Sequence, residues 1–515
     1  MEEASTKIAD AILCAIMGEV ANRTISFLVG KWRSKQMSPT EEERLASLRR
    51  LLSRVLAVVE EAEGRRITSL AMLQQLNTLR TEMHRGYYAL DRFSCGVPDD
   101  EGDKVNEVSR SFALQSNFSS AKRLRVHGGG GGGGSVGESA HQLQRALARM
   151  EAALEDVGPE FARLSDGYPR LFRQPYSVYL LMDRCMFGRQ MEMEHVVNFL
   201  LHADDQARPR LGVLPIVGPG KVGKSTLIHH ACADDRVRGH FSRVVFFRAS
   251  GGDLTAVERE IALAPDDGAA DQRVLIIVEL DGDVEEGPWR RLCSASESRR
   301  VPCGSKMIVT NRSDKIVNIA TTLPLKLNFF TPEAYWYFFK VRTFGSTDAT
   351  EHPKLASIAM EIARELNGCF IAANIFRGIL KSSMNARSWS LALGTLREFR
   401  KNNLSLFSAP RPVDYWDSSE GPVRVPINSK STCPGRHGFV ILDNYETPSF
   451  QSDAEAPVVT VQDVLYGGAR LQGKFDVLAS RSHLPPHYYY VFNCEVRTTQ
   501  RVVSKKKKNR KTARS

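Results

Sequence analysis

The chain has 515 residues, enough for three or four domains, and its 42% hydrophobic and 25% charged residues exclude a disordered or fibrous chain. The net charge is +11, and eight of the cations lie in the last fifteen residues, "RVVSKKKKNRKTARS", which hold no acid. Nine cysteines stand singly, at 14, 95, 185, 232, 293, 303, 369, 433 and 494; without a Cys-x-x-Cys pair they argue against a zinc site and for reduced thiols inside a cell.

The N-terminus, "MEEASTKIAD", is acidic where a signal peptide is basic, and the apolar stretch 11–17 is far too short to span a membrane. A soluble cytoplasmic or nuclear protein is expected. Ile8, Ile12, Ala15 and Ile16 then recur at helical spacing and lead to Val20. Residues 41–63 put Leu45, Leu48, Leu52, Val55 and Val59 on one face, with charges opposite. Residues 68–93 carry a third stripe through Leu73, Leu76, Leu79, Met83 and Tyr87. Such helices pack together, onto a partner, or onto another copy of the chain.

Residues 94–137 are polar and end in "HGGGGGGGS", a flexible tether. Helical spacing resumes over 141–157, and a bridging segment leads onward. From 211 the texture changes. Short apolar runs at 211–217, 242–247, 273–280 and 305–310 alternate with helical ones, which predicts a buried parallel sheet in an α/β layer. Residues 326–400 read as helical. Beyond 400, strands are expected at 438–446, 457–465, 474–480 and 488–497.

The strand at 211–217 runs straight into "VGPGKVGKST" (217–226), which fits the phosphate-loop pattern through Gly218, Gly223, Lys224 and Ser225, with a helical run after it. Strand, loop and helix in that order are what the chemistry needs. Successive backbone N–H groups within 219–225, the stretch that holds Pro219, Gly220, Lys221, Val222 and Gly223, can curl around a phosphate, and glycine removes the side chains that would block it. The helix beginning near Lys224 aims its positive end at the same anion. Lys224 would neutralise the β- and γ-phosphates, Ser225 would offer its hydroxyl to Mg²⁺, and Thr226 would lie beside the α-phosphate. A carboxylate at the end of a buried strand should orient the metal. Glu279 ends the apolar run and Asp281 follows two residues later; either fits, with Asp281 favoured as the usual acid there. Arg312, just past the strand in "GSKMIVTNR", is placed either to sense a γ-phosphate or simply to face solvent.

These motifs, in this order, resemble the NB-ARC switch domain of plant coiled-coil disease-resistance receptors over about 1–400. "FGRQMEMEHVVNFLL" (187–201) resembles the motif that opens that domain, whose glycine and arginine, here Gly188 and Arg189, lie against adenine. The helices before it look like the family's Rx-type four-helix domain, and "LKLNFFTPEAYWYFFKVRTFG" (325–345) with "HPKLASIAMEIARELNGCFIAA" (352–373) looks like its helical ARC subdomain. The departures are as clear. The Gly-Leu-Pro-Leu-Ala motif reads "GCFIA" with Phe370 in place of proline, the paired Asp-Asp of the metal strand is lost, and neither a winged helix, a Met-His-Asp motif nor leucine-rich repeats are found.

The resemblance implies a multidomain α plus α/β architecture. Its expected parts are an Rx-like helical domain at 1–127, a glycine-rich linker at 128–137, a helical bridge at 138–182, a nucleotide-binding P-loop domain at 183–325, an ARC1-like helical subdomain at 326–400 and a β-leaning C-terminal region at 401–515. It also implies an ADP/ATP switch in innate immunity with slow or no hydrolysis. The expected partners are other immune receptors or signalling proteins, with membrane insertion only after activation. The alternative is a nucleotide-independent adaptor or decoy acting through the N-terminal helices. "KKKKNRK" (505–511) reads as a nuclear localisation signal or a solvated tail; nucleic acid is not an expected partner, since no reading helix accompanies it.

Overall fold

The computed structural model describes residues 41–95, 134–165, 167–170, 187–202, 211–249, 254–262, 273–280, 286–295, 304–319, 321–402, 423–426, 437–448, 457, 459–466, 472–482 and 487–498. The helix expected at 8–20, the basic tail and Asp281 lie outside these residues. Two compact units divide the chain, Met1–Pro175 and Tyr176–Ser515.

The described part of the first unit contains three helices, α1 (Glu41–Glu63), α2 (Leu70–Cys95) and α3 (Gly134–Ser165). The stripes read from sequence face inward: Leu48, Leu52, Val55 and Val59 of α1 and Leu73, Leu76, Leu79 and Met83 of α2 are buried. Leu143, Met150 and Val157, seven residues apart, line the inner face of α3. Gly86 allows the close approach, since a Cβ there would collide with Met150 Cε and lie 3.0 Å from Leu52 Cδ2. Residues 138–165 of the segment read as a helical bridge belong to α3, the third helix of this bundle, whose first turn begins inside the stretch read as linker. The apolar period of 141–157 needs a partner surface, and α1 and α2 supply it. Buried charge is paired: Arg80 donates to Glu63 at 3.1 Å. His84, 4% exposed, has its pKa pushed down to about 3 by burial and then by the Arg80 charge.

The second unit is built on a five-stranded parallel sheet in the order β2-β3-β4-β1-β5. The strands are β1 (Gly212–Val217), β2 (Arg243–Ala249), β3 (Val274–Leu280), β4 (Lys306–Asn311) and β5 (Leu325–Lys326). β1 and β4 are buried throughout, which is why they read as unbroken apolar runs. Pro215 is tolerated in β1 for a local reason. Val213 N–H, two residues earlier and on the same edge, donates to Thr321 Oγ1 at 2.6 Å, because β5 pairs only with Ile216 and Val217. β2 forms one edge, with Val244, Phe246 and Arg248 exposed.

Helices α4 (Gln190–Leu201) and α5 (Lys224–Ala233) share one core with the sheet through Val196, Val197, Leu200, Leu227 and Ile228. On the other core, Trp289 of α8 (Glu286–Ala295) and Val257 of α7 (Thr255–Ala262) pack on Val278 and Val309. The one-turn helix α6 (Asp235–Arg238) is tied to α4 because Arg236 bonds both Asp234 and Glu194. A helical layer follows: α9 (Pro332–Phe344), α10 (Pro353–Leu366), α11 (Phe370–Lys381) and α12 (Ala386–Asn402). Trp389 is fully buried in it, its indole N–H shared between Leu380 O and Ser383 O. The last strand of the sheet ends at Lys326, and Leu327 belongs to the sheet core.

The C-terminal part is a four-stranded antiparallel sheet, β6-β7-β9-β8, from β6 (Val423–Pro426), β7 (His437–Pro448), β8 (Lys474–Arg481) and β9 (Tyr488–Thr498). The strand expected at 457–465 is not one. Its second half is helix α13 (Val461–Tyr466). Thr460 and Asp463 cap each other's backbone, Thr460 N–H to Asp463 Oδ2 at 2.9 Å and Asp463 N–H to Thr460 Oγ1 at 3.3 Å, which starts a helix where the apolar residues suggest a strand. No helix among the described residues is long and apolar enough to cross a membrane.

Candidate functional site

Residues 218–223 form the turn between β1 and α5, at the C-terminal edge of the sheet where α/β folds gather ligands. Two neighbours hold the turn: Gly218 N–H donates to Asn311 O at 3.2 Å, and Leu327 N–H donates to Val217 O at 2.8 Å. Gly218 is obligatory on steric grounds, since a Cβ would overlap the Leu327 carbonyl oxygen. Gly223 is obligatory on backbone grounds; it is the N-cap of α5 with φ 97° and brings no capping side chain. The first N–H groups of α5 are thus not capped by Gly223 and face the turn, as an anion site requires.

Lys224 is the first residue of α5 and folds back over the turn. Its ammonium donates to Gly218 O at 2.8 Å and to Pro219 O at 2.7 Å. Burial, and then the Arg312 charge, push its pKa down to about 8, against the pull of Glu279. Arg312 reaches the same turn, its guanidinium 3.2–3.4 Å from where a Cβ on Gly220 would stand. An Asx turn sets that direction: Asn311, 2% exposed, accepts from Arg312 N–H and Ser313 N–H. Glu279, near the end of β3, faces Arg248 at 3.5 Å and acts on Lys224. Val222 is buried, and Lys221, Ser225 and Thr226 are half-buried. The turn therefore gathers Gly218, Pro219, Gly220, Lys221, Val222, Gly223, Lys224, Ser225, Thr226, Glu279 and Arg312. Of the two acids read from sequence, only Glu279 lies among the described residues.

Gly188 and Arg189 stand beside the segment that follows β5. Gly188 has φ +62°, and a Cβ there would lie 3.1 Å from Phe330. Arg189 is 6% exposed and fully engaged: it donates to Glu192 at 2.8 Å and to Asn328 O, and its guanidinium sits 4.4 Å over the Phe330 ring. Phe370 meets Phe330 edge-on at 5.3 Å and Phe338 at 5.0 Å, and Phe187 joins the cluster. Sequence reasoning missed the 327–330 strap, which touches both Gly218 and Arg189. It missed Tyr490 of β9 as well, whose hydroxyl accepts from Lys221 at 3.3 Å across 269 residues. Neither has a local signal. Among the described residues, no three His, Cys, Asp or Glu side chains converge as a metal site.

No family model matches the chain. Among curated proteins it is similar to RGA1 of Solanum bulbocastanum, named as a disease-resistance protein, at 26% identity over 400 residues, covering 73% of this chain and 37% of RGA1. The chain is a homologue of plant disease-resistance proteins. Disease resistance protein RGA2 of the same species matches at 26% over 230 residues, and RPP13-like protein 1 of Arabidopsis thaliana, also of disease-resistance type, at 22% over 378 residues. This resistance-protein homologue spans about a third of RGA1 and of RPP13-like protein 1, and 23% of RGA2. Of solved structures, C. elegans PCH-2 aligns over 43% of this chain and 72% of that chain, at 12% identity and TM-score 0.30. A chain of the E. coli MS115-1 HORMA:CdnC:Trip13 complex aligns over 43% and 93%, at 14% identity and TM-score 0.27.

Proposed function

We propose that the chain binds ADP or ATP at 218–226 and serves as a nucleotide-dependent signalling switch in plant defence, with slow or no hydrolysis. One observation carries the reading: a glycine turn locked against the Leu327 carbonyl runs into a helix start with no capping side chain, and a desolvated lysine stands over it. In this reading the backbone of 219–223 cradles the phosphates and Lys224 leaves its two carbonyls for them. Arg312 reads the terminal phosphate from above Gly220. The aromatic faces of Phe330 and Phe370 beside Gly188 offer stacking for the base, and Arg189 holds that wall through Asn328 rather than touching the ligand. Ser225 and Glu279, with Asp281 as the other acid, are the groups that would hold Mg²⁺, which supplies charge neutralisation at the β- and γ-phosphates. The first unit is proposed to be an Rx-type surface for other receptors, signalling proteins or a second copy, and the protein to act in the cytoplasm, with the basic tail directing a nuclear share.

A second reading, a nucleotide-independent adaptor, draws on the same lysine: its bonds to Gly218 O and Pro219 O tie the turn together through the chain's own groups. Release of bound nucleotide from purified protein separates the two. Wild type should yield ADP or ATP and Lys224→Arg should yield little. Wild type that is folded, empty and unable to load with nucleotide and Mg²⁺ would favour the adaptor.

A further inference from the structure

The C-terminal antiparallel sheet reaches the phosphate turn, and nothing in the switch reading above uses it. Lys221 occupies a left-handed backbone position, φ +56°. The other described non-glycine residue with positive φ is Asn367, an amino acid that tolerates it; lysine does not. A lysine held there against its own preference is over-determined by its surroundings. One contact that holds it comes from Tyr490 of β9. The Lys221 ammonium donates to the Tyr490 hydroxyl at 3.3 Å and lies 5.5 Å from the ring centroid. Tyr490 is 1% exposed and sits inside the sheet, opposite Glu446 of β7 and Ser480 of β8, with Phe492 edge-on at 5.5 Å. Its hydroxyl is therefore fixed by three strands rather than by a loop.

Other residues of the C-terminal part lie near the same elements. His487, the residue before β9, acts on His229 and His230 of α5, the helix that starts at the turn. Gln462 of α13 lies against Gly378 of α11, 2.8 Å from where a Cβ would stand. The sheet thus meets the phosphate turn, its helix and the helical layer together.

We propose that this sheet is a clasp on the phosphate turn, with Tyr490 the positioning residue that holds Lys221 and sets how fast a nucleoside diphosphate leaves. The proposal rests on the nucleotide reading for its ligand, but the clasp itself is a contact within the chain. Lys221 lies between Gly220 and Val222, whose N–H groups belong to the cradle. Freeing Lys221 lets that backbone relax from its left-handed turn, and a cradle that opens more often releases its phosphate sooner.

The test uses the full chain as wild type, Tyr490→Phe, Lys221→Met and the double variant. Two rates are read: dissociation of a fluorescent ADP chased with excess ADP, and amide hydrogen exchange of 217–226 without nucleotide. Loss of one hydrogen bond to a charged group should speed each rate about tenfold in either single variant. The double variant should be no faster than the singles, because both remove the same contact. Exchange of β7–β9 should stay unchanged, which a general loosening of the sheet would not allow. Single variants with wild-type rates, or a double variant whose effect is the product of two, would overturn the clasp. If wild type binds no ADP, the switch reading fails by itself and the exchange rates alone decide the clasp.

Discussion

Gly218→Ala should damage the protein at one point for a purely steric reason. Gly218 has no left-handed φ to lose, so alanine carries no backbone penalty there. What it brings is a Cβ that overlaps the Leu327 carbonyl oxygen and stands 3.2 Å from the carbonyl carbon and 3.3 Å from Leu327 Cβ. Leu327 is 1% exposed and its N–H is bonded to Val217 O, so the strap cannot retreat without breaking a sheet hydrogen bond. Overpacking against side chains costs about 1–3 kcal/mol. Against anchored backbone the upper end applies, roughly 3 kcal/mol, or about 4 °C in the melting of a unit as large as Tyr176–Ser515. Gly394→Ala is the matched control. It lies exposed in the interior of α12 with nothing within 4 Å of its Cβ, and should stabilise by about 1 kcal/mol. Thermal melting with a parallel measurement of retained nucleotide checks both. A Gly218→Ala protein that melts with wild type and keeps its nucleotide would refute the steric argument.

Two pH effects follow from the charges described. Lys224 is protonated below about 8 and loses its charge above, so ADP affinity should be steady to pH 8 and then fall about tenfold per unit. Removing one cause of the shift with Arg312→Ala should move that decline to higher pH; calorimetric titration at pH 7, 8 and 9 reads it, and a flat wild-type profile counts against the site. His84 runs the other way. Its folded pKa of about 3 lies below the ordinary 6.5, so its contribution is complete above 6.5 and is lost as pH falls from there towards 3. At pH 4.5 the α1–α3 bundle should be weaker by roughly 3 kcal/mol, two units at 1.36 kcal/mol each. Hydrogen exchange of 41–95 at pH 7 and 4.5 measures this, and His84→Met should remove most of the difference.

Where structure is governed by neighbours in sequence, the sequence was legible. The stripe of 41–63 became a helix of those bounds, and the apolar runs at 211–217 and 273–280 became β1 and β3, because period and burial are local properties. The glycine turn between β1 and α5 was legible as a turn, although the demand on Gly218 comes from Leu327, far along the chain. What failed depended on distance or on single side chains. Residues 457–465 have strand-like composition, and one Thr460–Asp463 cap outweighed it. β5 is two residues long and exists only because β1 lies beside it. Lys221 read as part of the phosphate cradle; its hydrogen bond to Tyr490, 269 positions away, had no signal in the sequence.

The two ends of the parallel sheet differ in a way that bears on solubility. Every open sheet ends in a row of backbone donors and acceptors able to recruit a strand from another molecule. One end here is β5, too short to template anything. The other is β2, seven residues long with Val244 and Phe246 exposed, and so the natural place for chains to stick together. Arg243 and Arg248 flank those two apolar side chains, and Arg248 is 74% exposed in its side chain. Two β2 strands brought edge to edge would bring like charges together, so the arginines oppose edge-to-edge pairing at this strand.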